Sequence, residues 1–270
     1  MRHVFFFTGI VLLPIPCTAG QPVPAKMLFE RAIIDACQPE QAEVSNLLAL
    51  TRDTPGLRWN DAGEVLMVTW KSLQGCQQIV GTGRTHTDTK SLMWVTAVPQ
   101  VSDFCRTLTA LPPGSEQTPI AGAELDLRLQ QYLGLPPRQG TYKVFIEIWV
   151  KPEMMFRVCN DPETDDTTCD PKTLDPNRKV SNIPDYAAFL GELRHTSCKG
   201  KFRRPWTGLG YTYRWGGDGQ VPANEVGASE FALIPGASYR IESVSATSDY
   251  CRTLDARTPR ASLSCPAESH

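Results

Sequence analysis

Apolar and polar positions alternate most clearly in the segment P-W-T-G-L-G-Y-T-Y-R-W-G. There Leu209, Tyr211, Tyr213 and Trp215 fall at every second position and share one face of a strand, while Thr212 and Arg214 face the other way. The run Gly216-Gly217-Asp218-Gly219 breaks this strand, and a second one, over about 227–234, ends at Pro235-Gly236. The same reading places strands at 64–71 and 91–98. The strongest strand covers 141–151, with Val144, Ile146, Ile148 and Val150 on one side and Phe145, Glu147 and Trp149 on the other. Helical spacing appears at 24–36, at 39–50, and at 186–193 through Tyr186, Phe189, Leu190 and Leu193. A further helix covers 119–133: Thr118 is placed to cap it, Pro119 suits the first helical position, and Gly134 with Pro136 stops it.

Strands mixed with a few helices predict an α+β protein built on a mainly antiparallel sheet or sandwich and held by disulfides. The expected organisation is a signal peptide at 1–19, an N-terminal helical segment at 20–56 and a β-rich main domain at 57–265. One internal echo stands out, since S-D-F-C-R-T-L at 102–108 returns as S-D-Y-C-R-T-L at 248–254, each time after a predicted strand. Cys105 and Cys251 therefore occupy equivalent settings and are expected to bond to each other.

The chain has 270 residues, of which 41% are hydrophobic and 21% charged, enough to bury a sizeable core. A net charge of −2 offers no field for nucleic acid. Arg2 and His3 precede an apolar run over 4–15, and Cys17-Thr18-Ala19 supplies the small residues of a cleavage site after Ala19. The run is too short to span a bilayer, and no membrane insertion is expected of the mature form. Losing Cys17 with the leader leaves 9 − 1 = 8 cysteines, an even number that reads as up to four disulfides in a periplasmic or extracellular protein. Cys159 and Cys169 close a short loop. With Cys105 paired to Cys251, the remaining expected pairs are Cys37 with Cys76 and Cys198 with Cys265.

Candidate chemistry is sparse. Glu147 lies between two aromatic residues on a strand face, and partial burial there would raise its pKa towards that of a general acid. Glu230 lies on the strand that follows the aromatic row, which makes the two glutamates a candidate catalytic pair. Tyr211, Tyr213, Trp215 and Trp149 are the candidate ligand-binding residues. The aromatic row reads mainly as a core face, with its Trp215 end open to a partner. Asp161, Glu163, Asp165 and Asp166 form a weak calcium candidate without the spacing of a helix-loop-helix site; a solvated acidic loop is the expectation. His195, Ser197 and Cys198 sit together, but Cys198 is wanted for a disulfide. Lys199, Lys201, Arg203 and Arg204 are expected to pair with the acidic loop or to meet an anionic polymer. His86 reads as a solvated loop residue. Without a zinc spacing, C-x-x-C pair, nucleophile elbow or phosphate-binding glycine loop, no metal and no cofactor is expected.

W-V-T-A-V-P-Q-V-x-x-F-C at 94–105, L-x-x-Y-L-G-L-P-P at 129–137, F-I-E-I-W-V-K-P at 145–152, C-N-D-P-E-T-D-D-T-T-C at 159–169, P-W-T-G-L-G-Y-T-Y-R-W-G and V-G-A-S-E-F together resemble a group of uncharacterised exported bacterial proteins. The resemblance covers about residues 90–251. That group carries Asp at the position of Arg214 and no histidine at that of His195, which counts against catalysis at either place. It implies bacterial export and no particular activity. The function expected is that of a secreted or periplasmic binding or interaction protein for a protein or glycan ligand. The alternative is an envelope-polymer hydrolase using Glu147 and Glu230.

Overall fold

Strand β1 (Val65–Lys71) runs antiparallel to β2 (Trp94–Ala97) on one side and to β3 (Val144–Val150) on the other. The remaining strands are β4 (Met155–Arg157), β5 (Tyr211–Tyr213), β6 (Val226–Leu233) and β7 (Arg240–Ala246). Together they make one seven-stranded sheet in the order β4-β6-β2-β1-β3-β7, with β5 also on β6. This computed structural model describes residues 23–81, 92–109, 118–169, 175–216, 226–252 and 263–266. The expected signal peptide, His86 and the glycines at 217 and 219 lie outside them.

The alternation read from the sequence separates two cores. Val65, Met67, Val144, Ile146, Ile148 and Val150 face one way, where helices α2 (Leu73–Gly81) and α5 (Tyr186–Cys198) add Cys76, Ile79, Tyr186 and Leu190. Leu66, Val68, Trp70, Phe145 and Trp149 face the other, beneath α3 (Val98–Thr109), α4 (Gly122–Tyr132) and α6 (Thr247–Arg252). The architecture is therefore an α+β sheet covered by helices on both faces rather than a sandwich of two sheets. Each large aliphatic side chain buried this way contributes about 1.5–3 kcal/mol.

The order β2-β1-β3-β7 is also nearly two-fold. The outer strands β2 and β7 lead into α3 and α6, the two echo segments, and Cys105 bonds to Cys251 between those helices.

Helix α1 (Ala25–Ala36) forms where expected and lies over the Tyr213 and Trp215 end of the aromatic row, while Leu209 and Tyr211 pack against Leu47 and the Cys159–Cys169 disulfide. Phe29 of α1 meets the Trp215 ring edge-on at 5.3 Å, and Asp35 accepts a 2.6 Å hydrogen bond from the Tyr213 hydroxyl. Tyr211, Tyr213 and Trp215 are each only 2% exposed, so the whole row is core, including the Trp215 end expected to be open.

Residues 39–50 do not form the expected helix. Beyond a short 3-10 turn at Gln41–Glu43 they run extended, because Leu47 and Leu50 donate their N–H groups to the carbonyls of Thr167 and Thr164 and Leu48 donates to Ser229. Helix α4 starts at Gly122, not at Thr118, and Ala121 before it supplies no side-chain cap. Its end is as read: Gly134 takes a φ of +65°, and Leu135 N–H closes back on Gln130 O.

The disulfides are Cys105–Cys251, Cys159–Cys169, Cys37–Cys198 and Cys76–Cys265. The first two match expectation; the pairs Cys37–Cys76 and Cys198–Cys265 do not form. Helix α1 packs on α5, which brings its terminal Cys37 to Cys198, while α2 holds Cys76 in the core where Cys265 reaches it.

Candidate functional site: a tryptophan-walled cavity

Pairing between β1 and β2 runs through Met67↔Ala97 and Val68↔Thr96. The next residues on each strand, Thr69 to Lys71 and Val95 to Trp94, instead line a cavity of about 210 Å³. Residues from both faces of the sheet reach it for that reason. The rest of its wall comes from the turn after α4 (Leu133, Gly134, Leu135), from Tyr142, from Arg204, Pro205 and Trp206 after α5, and from Thr212, Tyr213 and Glu230. Gly134 is needed there, since a Cβ at its left-handed φ would stand 3.1 Å from the Tyr213 carbonyl oxygen.

The walls are held from behind. Trp70 stacks on Tyr142 at 4.8 Å and on Phe145 at 5.5 Å, and its indole N–H donates to Thr247 Oγ1 at 2.9 Å. The Arg194 guanidinium covers Trp206 at 5.2 Å, and that of Arg204 covers Trp94 at 5.3 Å. Rings fixed in this way form rigid, largely apolar walls.

Three charged groups share the cavity. Glu230 and Lys71 both line the cavity and are only half-buried, yet burial drives the Glu230 carboxyl pKa up to about 7, against a smaller opposing pull from Arg204. Lys71 is lowered to about 8 by burial alone. Burial also lowers Arg204, whose Nε has no hydrogen-bond partner. A carboxyl and an amine titrating close to neutrality in one apolar cleft are the marks of a functional site.

Of the sequence candidates, Glu230 and Tyr213 belong to this cavity; Glu147 does not line it. Glu147, Val68, Thr96 and Glu230 stand on one row across β3, β1, β2 and β6. Three strand spacings separate the glutamates, about 14 Å along the sheet, against the roughly 5–9.5 Å of paired glycosidase carboxylates. Glu147 is 1% exposed and accepts a hydrogen bond from Ser243 on the side away from Glu230. Trp149 is buried as well: Glu242 accepts its indole N–H, and Arg58 and Arg240 lie over its ring.

The acidic loop is partly neutralised by two arginines that the sequence reading left out. Arg178 pairs with Asp161 and Glu163, and the buried Arg157 reaches Asp166 at 3.7 Å. Asp165 stays exposed, and among the described residues no group of three acidic, histidine or cysteine side chains is arranged to hold a metal ion. The basic segment finds other partners, Arg203 with Glu30 and Arg204 beside Glu230. No nucleophile forms around His195, since Cys198 is in a disulfide and Ser197 is buried.

Lys71, Trp70, Trp94, Trp206 and Tyr142 were not singled out from sequence as site residues. A lysine directly after a tryptophan at the end of an apolar strand was the available signal. No known family, curated protein or solved structure matches the chain.

Proposed function

We propose that the protein is an exported binding protein that takes a small ligand into the cavity between β1 and β2. The observation that carries this reading is an apolar cavity of about 210 Å³ with three tryptophans and three charged groups on its wall. Such a combination of flat apolar surface and a few convergent polar groups is the usual make-up of a small-molecule site. Export is supported by the four disulfides, which persist in oxidising compartments, and by the resemblance to exported bacterial proteins. Among the described residues no helix is long and apolar enough to cross a membrane. A hydrolase using Glu147 with Glu230 has no support in the separation of the two carboxylates.

The test is a thermal-shift screen of small molecules on the mature protein and on Leu135→Trp, which fills the cavity without removing a polar partner. Ligands that stabilise the parent by mass action should leave Leu135→Trp unmoved. Equal shifts in both proteins for every stabilising compound would place binding elsewhere and end this reading.

A further inference from the structure

We infer that the cavity takes a short extended peptide with apolar side chains, held as an added strand by main-chain hydrogen bonds to Trp70 and Trp94. The inference rests on the cavity being a ligand site and adds the chemical class of the ligand and the way it is gripped.

The first argument is the direction of the backbone on the two sides of the cavity. Lys71 O accepts a hydrogen bond from Lys143 N–H, just before β3, whereas Leu66 N–H donates to Arg58 O on the other side of β1. Successive residues of a strand turn their N–H and C=O groups to opposite sides. Val65, Met67, Thr69 and Lys71 therefore turn theirs to β3, and Leu66, Val68 and Trp70 turn theirs away from it. In β2 the bond from Leu233 N–H to Met93 O directs Met93 and Val95 to β6, which leaves Trp94 and Thr96 directed at β1. Val68 and Thr96 meet accordingly. The next such pair in this register, Trp70 with Trp94, is not formed, and both residues line the cavity. Each strand turns an N–H and a C=O group into the opening. Trp70 is only 5% exposed, and backbone groups of residues so deeply buried are ordinarily paired.

The second argument is the internal two-fold. Val65 pairs with Val150 and Lys71 with Val144, so the axis between β1 and β3 carries Val65 to Val144 and Trp70 to Trp149. It also carries the pair Val68–Thr96 to Glu147–Ser243. Beyond a bulge, the pair that answers to Trp70 with Trp94 is Trp149 with Arg240, and that one is formed. The same strand pairing is closed in one half of the sheet and held open in the other.

The third argument is what the open pair requires. In an extended peptide one residue turns its N–H and C=O to one neighbouring strand and the next residue turns them to the other. Two consecutive residues therefore satisfy Trp70 and Trp94 together. Their side chains point to opposite faces of the sheet, and the cavity wall is apolar on both, with Leu133 and Leu135 on the side of Trp70 and Trp206 on the other. A volume of about 210 Å³ limits the bound part to a short segment.

The probes are dipeptides capped with an N-acetyl group and an N-methylamide, carrying alanine, valine or leucine at each position, and their esters with oxygen in place of the central N–H. Calorimetric titration should show the best dipeptide binding about three- to tenfold more tightly than its ester, the range of one hydrogen bond. Hydrogen exchange read by NMR should show the Trp70 and Trp94 amides slowed at least about tenfold by saturating dipeptide. Leu135→Trp should bind none of the set. An ester that binds as tightly as its amide, unprotected amides at Trp70 and Trp94, or equal binding to Leu135→Trp overturns the inference while leaving the cavity as a ligand site. Failure of every dipeptide, while screened compounds still distinguish the parent from Leu135→Trp, overturns the peptide alone. Failure of the screen overturns both.

Discussion

Lys71 and Glu230 hold opposite charges in a place that penalises both, and the consequence is a pH dependence of stability with two limbs. Glu230 has a folded pKa raised to about 7 from 4.5. The folded state then binds more protons than the unfolded chain, so stability is fullest below pH 4.5 and falls as the pH rises through 7. At about 1.36 kcal/mol per pKa unit this limb amounts to no more than about 3 kcal/mol, reduced by the part of the side chain that meets solvent in the cavity. Lys71, lowered to about 8 from 10.5, works in the other direction. Its penalty is complete below pH 8, and stability recovers between pH 8 and 10.5 as the folded protein releases the proton first. Denaturant titrations across this range should show Glu230→Gln flattening the lower limb and Lys71→Met the upper. Lys71→Met should also be the more stable protein at pH 7, by about 1–3 kcal/mol; an unchanged midpoint would show that the ammonium reaches water. Neither group advertised itself in the sequence. Glu230 was noted for its strand, but its desolvation comes from the segment around Arg204, and Lys71 read simply as the polar end of a strand.

Helix α1 shows how an element can change the meaning of another. Period-two spacing alone makes Leu209, Tyr211, Tyr213 and Trp215 a face, and that much was legible. Whether the face is a platform or a core depends on what lies over it: α1, far earlier in the chain, covers Tyr213 and Trp215, while Leu47 and the Cys159–Cys169 disulfide cover Leu209 and Tyr211. Trp215→Ala should therefore lower stability by about 3–5 kcal/mol through the cavity left beneath Phe29, measured by chemical denaturation. A loss of less than about 1 kcal/mol would mean that the helix is not docked in solution. Strands β1, β3 and β6 and helices α1 and α5 were legible because their own patterns agree with their packing. The segment 39–50 misled because its leucines fit a helix, whereas its N–H groups go to the acidic loop and to Ser229. Helices α2 and α3 were hidden by contrast: the first is rich in glycine and glutamine, and the second follows β2 without a break, so that one strand pattern ran into one helix pattern.

At the scale of the whole molecule, the sheet and its two helical covers are closed by covalent links that join distant parts of the chain. The echo segments gave away Cys105–Cys251, since two like corners at like places in the sheet can face each other. Cys37–Cys198 and Cys76–Cys265 had no such signature, because they depend on which helix packs on which. Their separations, 161 and 189 residues, have a consequence for biogenesis. A chain threaded through a membrane from its N-terminus presents Cys37 and Cys76 to the oxidising side well before Cys198 or Cys265 arrives. A dithiol oxidase acting on sulfurs in order of emergence joins neighbours, and Cys37–Cys76 is the mispairing it produces first. Reaching the native set then requires thiolate attack on that bond and its replacement, the reaction that a disulfide isomerase supplies. Expression in a periplasm with and without its isomerase, followed by non-reducing peptide mapping, should give a Cys37–Cys76 peptide and a reduced native yield in the isomerase-free strain. Identical maps and yields from the two strains would show that folding keeps the early cysteines apart until their partners arrive.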